Sequence, residues 1–147
     1  MKEYIGLLSV IYIIAVIIKL KDNSKTFEDY TMEYEEVKVY LRAISQRKDP
    51  FILMKLSSFV FYIFLFLYYI ANSIVFDSYT ITNFLSYALL IFGLFKLSKK
   101  ISINSIDDLE KSIDSNKKTY KIKQKINFYL GLLEFAYAFN VLVLISF

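Results

Sequence analysis

The chain has 147 residues, of which 56% are hydrophobic and 18% aromatic, with a net charge of +4, three glycines and one proline. Such an apolar composition excludes an ordinary soluble domain and indicates helices that span a membrane. The sequence has neither cysteine nor histidine, which removes thiol chemistry, the commonest transition-metal ligand and the usual general base, so we expect no enzymatic activity, cofactor or metal.

The first apolar run covers residues 4–20 and carries its strongest positive charge at its end, at Lys19 and Lys21. A secretory signal peptide has a similar apolar length, but its positive charge precedes the apolar run and a small-residue cleavage site follows. Because this run shows the opposite charge order and no such site, we predict an uncleaved membrane span.

The most apolar stretch covers residues 51–76 and contains one charge, Lys55, near its start. As a helix it would be about 39 Å long, more than the roughly 30 Å hydrocarbon core of a bilayer. Two further runs, residues 79–97 and 126–147, complete the set, and only Asp77 and Ser78 separate the second run from the third. The sequence therefore predicts an all-α integral membrane protein with four transmembrane helices arranged as two hairpins.

The polar segments between the spans, residues 21–50 and 98–125, are predicted to be cytosolic loops that each contain an amphipathic helix. Ser24 or Thr26 can cap the first helix, Asp49-Pro50 marks the break before the second span, and Ser105 with Asp108 resembles a capping box. Apolar residues recur along the first helix at spacings of three and four and define a seam: Phe27, Tyr30, Tyr34, Val37, Leu41 and Ile44. We interpret the seam as a packing face against a neighbouring helix; the alternative is a docking face for a partner or ligand.

The distribution of basic residues predicts the orientation. Seven lysines and arginines lie from the end of the first span, at Lys19, to the second span, and nine lie from the end of the third span, at Lys96, to the fourth, whereas Lys2 alone lies on the opposite side. Positive charge accumulates on the cytoplasmic side of membrane proteins. We therefore predict that both loops are cytosolic and both termini are outside. The composition, rich in Lys, Ile and Tyr, resembles that of AT-rich bacterial or phage genomes, so the expected location is a bacterial inner membrane.

Polar residues inside the spans point to the protein interior or to a water-filled path, because polar groups are costly in hydrocarbon. They form a polar stripe on one face of the second, third and fourth spans: Ser58, Tyr62, Tyr69, Asn83, Ser86, Asn127 and Gly131. We expect these faces to contact one another or to line a lumen.

Glu134 is the single charge of the fourth span. Helix geometry places Lys55 close enough to form a structural ion pair with Glu134, which would neutralise two charges that are costly in a membrane. Two alternatives stay open. Glu134 could form a ring that lines a cation path in an oligomer, or it could be the protonatable site of a small transporter.

A basic run precedes the fourth span and contains Lys117, Lys118, Lys121, Lys123 and Lys125. Beside a membrane such a run typically binds anionic lipid headgroups. The alternative is a nucleic acid or nucleotide ligand, for which Tyr120 is available for stacking.

Two classes of function remain. The first is a small oligomeric membrane effector or channel of the toxin or antiviral-defence type, whose cytosolic helices receive a signal. The second is an immunity protein or accessory subunit that binds a larger membrane partner. The size of the two loops, about thirty residues each, favours the first class because a minimal pore needs no such input region.

Overall fold

A computed structural model describes residues 2–45, 49–117 and 119–146. Side chains are described for all of these residues except 113–117. The described ranges contain no strand and form six helices: α1 (Lys2–Asp22), α2 (Phe27–Ser45), α3 (Pro50–Val75), α4 (Thr80–Ile101), α5 (Ile106–Lys117) and α6 (Tyr120–Ser146). Among these, α1, α3, α4 and α6 are long and apolar enough to cross a membrane. The predicted all-α class with four candidate spans is confirmed, and the four spans indicate a multi-pass membrane protein.

The start of α3 lies where the sequence predicted a break. The Asp49 side chain accepts a hydrogen bond from the backbone N of Phe51 at 2.9 Å, and Pro50 occupies the first helical position. A capping carboxylate and an N-terminal proline both favour helix initiation, because proline has no N–H to leave unpaired there.

The two shorter helices begin with side-chain caps. The backbone N of Asp29 donates to Thr26 Oγ1 at 3.2 Å, and the backbone N of Thr26 donates back to Asp29 Oδ2 at 3.3 Å. In α5, the backbone N of Asp108 donates to Ser105 Oγ at 3.1 Å. The caps predicted at Thr26 and Ser105 are confirmed, and each satisfies a backbone donor that the helix itself leaves unpaired.

The last helix begins earlier than the apolar run that defines the fourth predicted span. It starts at Tyr120, whereas the apolar run starts at residue 126. Residues 120–125 contain lysine, glutamine and isoleucine and no helix breaker, so the helix continues outward from the apolar part into the basic run. Helix α4 likewise continues past the end of the third apolar run at residue 97, to Ile101.

The four long helices form a bundle in which each buries one face at spacings of three and four residues, while their other faces expose large apolar side chains. This is the pattern expected for helices that contact one another on one side and lipid on the other. The buried residues are Ile5, Ser9, Tyr12 and Val16 in α1, Tyr62, Leu65, Tyr68, Tyr69, Asn72 and Ser73 in α3, Thr82, Ser86, Leu89, Gly93 and Leu97 in α4, and Gly131, Glu134, Tyr137, Ala138 and Val141 in α6.

Two glycines allow close contact between neighbouring helices. A Cβ atom at Gly93 of α4 would lie 2.8 Å from Cε1 of Phe66 in α3, and one at Gly131 of α6 would lie 2.7 Å from Cδ2 of Leu20 in α1. Small residues at such points let helices pack tightly in a membrane. In this bundle α4 therefore packs against α3, and α6 packs against α1.

The two shorter helices lie at one end of the bundle, which we call the loop end. There Lys38 of α2 forms an ion pair with Glu110 of α5. At the opposite end, a Cβ atom at Gly6 would lie 3.9 Å from Cδ1 of Ile145, which places the first and last turns of the described chain side by side.

Candidate functional site

Glu134 lies inside the bundle, where its side chain is 8% exposed. Lys19, in the last turn of α1, donates a hydrogen bond to Oε2 of Glu134. Lys96 of α4 approaches the other oxygen of the same carboxylate, with its Nζ 3.9 Å from Oε1. The carboxylate is therefore neutralised by two lysines from two other spans of the same chain.

The structure does not bring Lys55 and Glu134 together, so the ion pair expected from helix geometry is wrong. Within this chain the partner of Glu134 is Lys19. Lys55 instead donates a hydrogen bond to Oδ1 of Asn104 in the loop between α4 and α5. Lys55 lies near the start of α3, and its long side chain extends toward the polar loop end, as lysines near the ends of spans commonly do.

Tyr137 of α6 connects three helices through its hydroxyl group. Asn72 of α3 donates a hydrogen bond from Nδ2 to this oxygen at 2.9 Å, and Ser86 Oγ of α4 lies 2.6 Å from it. All three residues are at most 2% exposed. The two hydroxyl groups and the Asn72 amide N–H are therefore paired inside the chain, whereas Asn72 Oδ1 is buried and has no hydrogen-bond partner among the described residues.

Two further hydroxyl pairs join α1 to α3. Ser9 Oγ lies 2.7 Å from the hydroxyl of Tyr68, and the hydroxyls of Tyr12 and Tyr69 are 2.5 Å apart. The rings of Tyr12 and Tyr69 also meet edge to face, with centroids 5.9 Å apart. Together with Tyr137, these pairs form a polar network through the buried part of the bundle.

A cavity of about 370 Å³ opens beside the charged residues; we call it the bundle cavity. Lys19, Lys96 and Lys100 contribute three ammonium groups to its wall, and Glu134 contributes one carboxylate. Aromatic and aliphatic side chains from α1, α3 and α4 form much of the remainder. The cavity thus combines excess positive charge with an apolar wall.

A second cavity, of about 320 Å³, lies between the end of α1, α2 and the start of α6; we call it the surface cavity. Tyr30 and Lys123 line this cavity, and Asn23 and Asn127 line both cavities. The two cavities are therefore neighbours. Asn23 Nδ2 is buried and has no hydrogen-bond partner among the described residues.

Helix α2 is attached to the start of α6. The ring of Tyr120 meets the rings of Phe27 and Tyr30 at centroid distances of 5.0 and 5.5 Å. Gln124 donates a hydrogen bond from Nε2 to the backbone carbonyl of Lys25 at 2.5 Å. The first turns of α6 therefore contact the aromatic start of the seam.

The same helix is held to α5 by charge. Lys38 of α2 donates a hydrogen bond to Glu110 and thereby lowers the pKa of the Glu110 carboxyl below its ordinary value. The pKa of Lys38 is raised by the same contact. Each group thus stabilises the charged form of the other.

The six seam residues are not equally buried. Phe27, Tyr30 and Tyr34 are half-buried, and Leu41 is buried. Val37 and Ile44 are exposed. The contacts of α2 with Tyr120 lie at the start of the helix and leave part of its later turns uncovered.

The predicted polar stripe divides into two groups. Four residues are buried in the bundle with Glu134, namely Tyr62, Tyr69, Ser86 and Gly131, and three are half-buried, namely Ser58, Asn83 and Asn127. In the basic run, Lys121, Lys123 and Lys125 are exposed on the first turns of α6. Lys118 and the side chain of Lys117 lie outside the described part of the chain.

Lys19 and Lys96 are important site residues that sequence reasoning did not select, because each resembles an ordinary basic residue at the end of a span. Their helix faces carried a usable signal. Ser9, Tyr12 and Lys19 share one face of α1, and Ser86 and Lys96 share one face of α4.

Comparisons with family models, with curated proteins and with solved structures found no match to this chain. The functional argument therefore rests on the geometry of the bundle and its cavities.

Proposed function

We propose that this chain is a membrane effector without catalytic activity, in which α2 and α5 receive a signal and the four spans respond by changing membrane permeability. The observation that carries the proposal is the double attachment of α2. One end of its seam contacts Tyr120 at the start of α6, and Lys38 binds Glu110 of α5. A displacement of α2 would act directly on the span that contains Glu134.

The buried position of Glu134 supports a resting state that does not conduct. Lys19 and Lys96 neutralise the carboxylate, and the Tyr137 hydroxyl is hydrogen-bonded to Asn72 and Ser86 within the chain. In the proposed response, α6 moves relative to α1, Glu134 separates from Lys19, and the freed carboxylate lines a cation path. Self-assembly of several copies in the bacterial inner membrane would supply the remaining walls.

The proposed orientation has α2 and α5 in the cytosol, both termini outside, and the spans arranged as two hairpins. The orientation is supported by sixteen basic residues in the two loop segments and at the span ends that border them, Lys19 and Lys96 included, against the single Lys2 on the other side. The exposed Lys121, Lys123 and Lys125 would contact anionic headgroups of the inner leaflet. Reporter fusions at the C-terminus test the orientation, and a cytosolic signal there would contradict it.

Exchange of Tyr120 for alanine tests the effector role, since it removes the ring contact between α2 and α6. Tyr129 of the same helix is 67% exposed, so Tyr129→Ala is a matched control. We expect overexpression of the unchanged chain to arrest growth and to release ions from loaded vesicles. Tyr120→Ala should change both the growth arrest and the ion release while the amount of folded protein stays the same. Tyr129→Ala should change neither. Absence of growth arrest, flux and self-assembly in the unchanged chain would contradict the effector role.

An immunity protein or accessory subunit is the second candidate, and a specific observation favours it. Met32, Val39 and Tyr40 of α2 are 66–70% exposed, although this helix lies outside the candidate spans. Exposed apolar groups on such a helix are typical of a surface that binds a partner. This role predicts co-purification with a membrane protein that Val39→Glu abolishes, and it predicts no growth arrest.

A further inference from the structure

The bundle cavity carries more positive than negative charge. Three lysines, Lys19, Lys96 and Lys100, line it together with a single acidic residue, Glu134. Glu134 binds Lys19 and lies 3.9 Å from Lys96. Within the described residues no ion pair involves Lys100, whose Nζ lies over the ring of Tyr62 at 5.9 Å from the centroid.

Such an excess favours binding of an anion, because the partly exposed Lys19 and Lys96 share the single carboxylate of Glu134 at the edge of the bundle. One bound anion with up to two negative charges would balance the four charged groups of the wall. Lys96 and Lys100 are one helical turn apart on α4 and are therefore on the same side of that helix. They can bind two oxygens of one anion together.

The wall also provides a neutral hydrogen-bond donor. Asn23 lines both cavities, and its Nδ2 is buried and has no partner among the described residues. A buried donor without an acceptor costs about 1–3 kcal/mol. An anion oxygen would supply the acceptor. Lysine ammonium groups with an amide N–H form a set of donors typical of phosphate sites.

We propose that the bundle cavity is a binding site for a phosphate group, carried either by a membrane lipid or by a soluble phosphate compound. The site differs from the basic run, because Lys121 and Lys125 do not line this cavity. The apolar wall, which includes Leu65 and Phe92, would hold the chain of a lipid beside its phosphate. Binding of this kind does not depend on the effector role proposed above.

The test uses the full chain purified in a non-ionic detergent, with a short-chain phosphatidylglycerol, a short-chain phosphatidylcholine and inorganic phosphate as separate probes. We expect saturable binding of phosphatidylglycerol, measured by native mass spectrometry and by the shift in melting temperature. Preference for phosphatidylglycerol over inorganic phosphate assigns the site to a lipid. If inorganic phosphate binds at least as tightly as phosphatidylglycerol, the site is assigned to a soluble phosphate compound.

Lys100→Met is the decisive variant, and Lys99→Met is its matched control. Both lysines lie in the last turn of α4 and both are exposed, but only Lys100 lines the cavity. We expect Lys100→Met to weaken binding about tenfold, Lys100→Arg to retain it, and Lys99→Met to leave it unchanged. Equal losses in the Lys99 and Lys100 variants would overturn the proposal, because they would indicate general surface attraction. Failure of all three probes to bind saturably would overturn it too.

Discussion

Lys19 in the last turn of α1 and Glu134 in α6 form an ion pair between residues 115 positions apart in the chain. The carboxylate is almost fully buried, whereas the lysine side chain is 31% exposed. The pair therefore lies at the boundary between the apolar bundle and the loop end, where it joins the first span to the last.

Exchange of either partner should destabilise the bundle, because it leaves the other charge without its main counterion. Breaking a buried pair typically costs about 3–5 kcal/mol, and the partial exposure of Lys19 favours the lower end of that range. We expect Lys19→Met and Glu134→Gln each to lower the melting temperature in detergent. The double variant should recover much of the loss, since it removes both members of the pair and leaves Lys96 alone without this carboxylate.

Lys55→Met is the control for this cycle, because Lys55 binds Asn104 and not Glu134. Its effect should add to that of Glu134→Gln without any recovery. Additive losses for Lys19→Met with Glu134→Gln, or recovery for Lys55→Met with Glu134→Gln, would contradict the assignment of the pair.

Tyr137→Phe should show how much the buried hydroxyl network contributes. The substitution removes one oxygen and with it the bonds to Asn72 and Ser86. Hydrogen bonds between membrane helices average about 0.6 kcal/mol each, so we expect a loss of about 1 kcal/mol in the free energy of unfolding. Tyr129→Phe, at an exposed position of the same helix, should have no effect. Equal stability of the two variants would indicate that the network is energetically unimportant.

Gly93→Ala should destabilise the bundle where α4 meets α3. The added Cβ would lie 2.8 Å from the ring of Phe66, which is stiff and must shift as a unit. Overpacking of this kind typically costs about 1–3 kcal/mol. Gly6→Ala is the control because its Cβ would meet its nearest neighbour, Ile145, at an ordinary 3.9 Å. We expect Gly6→Ala to be neutral or stabilising, and urea or thermal unfolding in detergent would separate the two outcomes.

Much of the fold was predictable because local signals determine it. Long apolar runs predicted the four candidate spans, Asp49-Pro50 predicted the start of α3, and Ser105 with Asp108 predicted a cap. Each of these features depends on residues close together in the chain. The start of α6 at Tyr120 differed from the predicted start of the fourth span at residue 126. Hydropathy marks only the apolar boundary, and a helix that contains lysine and glutamine can continue past that boundary.

The partner of Glu134 depends on which helices become neighbours, and one sequence does not specify that. Position along the helix alone allowed Lys55, but the packing of α1 against α6 placed Lys19 beside the carboxylate. The bundle cavity was unpredictable for the same reason, since its lysines come from α1 and α4. Helix faces restrict which residues point inward; contact between faces requires the three-dimensional arrangement.

The last prediction concerns the contact between α2 and α5, which should weaken in acid. Lys38 lowers the pKa of Glu110 below its ordinary value of 4.5 in the folded chain. A carboxyl whose folded-state pKa is lowered contributes stability above its unfolded-state pKa, and that contribution is lost as the pH falls through the folded-state value. The contact should therefore be intact at neutral pH and should loosen below about pH 4.

Distances between spin labels on α2 and α5 can measure this change. The chain contains no cysteine, so Glu36→Cys and Asp107→Cys, both at exposed positions, give a unique labelled pair. We expect a narrow distance distribution at neutral pH that broadens in acid. Hydrogen bonds at the helix starts also lower the pKa values of Asp29 and Asp108, so acid acts on these caps too, and the decisive comparison is with Glu110→Gln.

In the labelled chain, Glu110→Gln should already show the broad distribution at neutral pH and should change little on acidification. Glu28→Gln, which alters an exposed glutamate of α2, should behave like the unchanged chain. If the caps instead control the acid response, the Glu110→Gln chain will still broaden as the pH falls. That result would assign the pH dependence to unwinding of the helix starts and remove the Lys38–Glu110 pair as its cause.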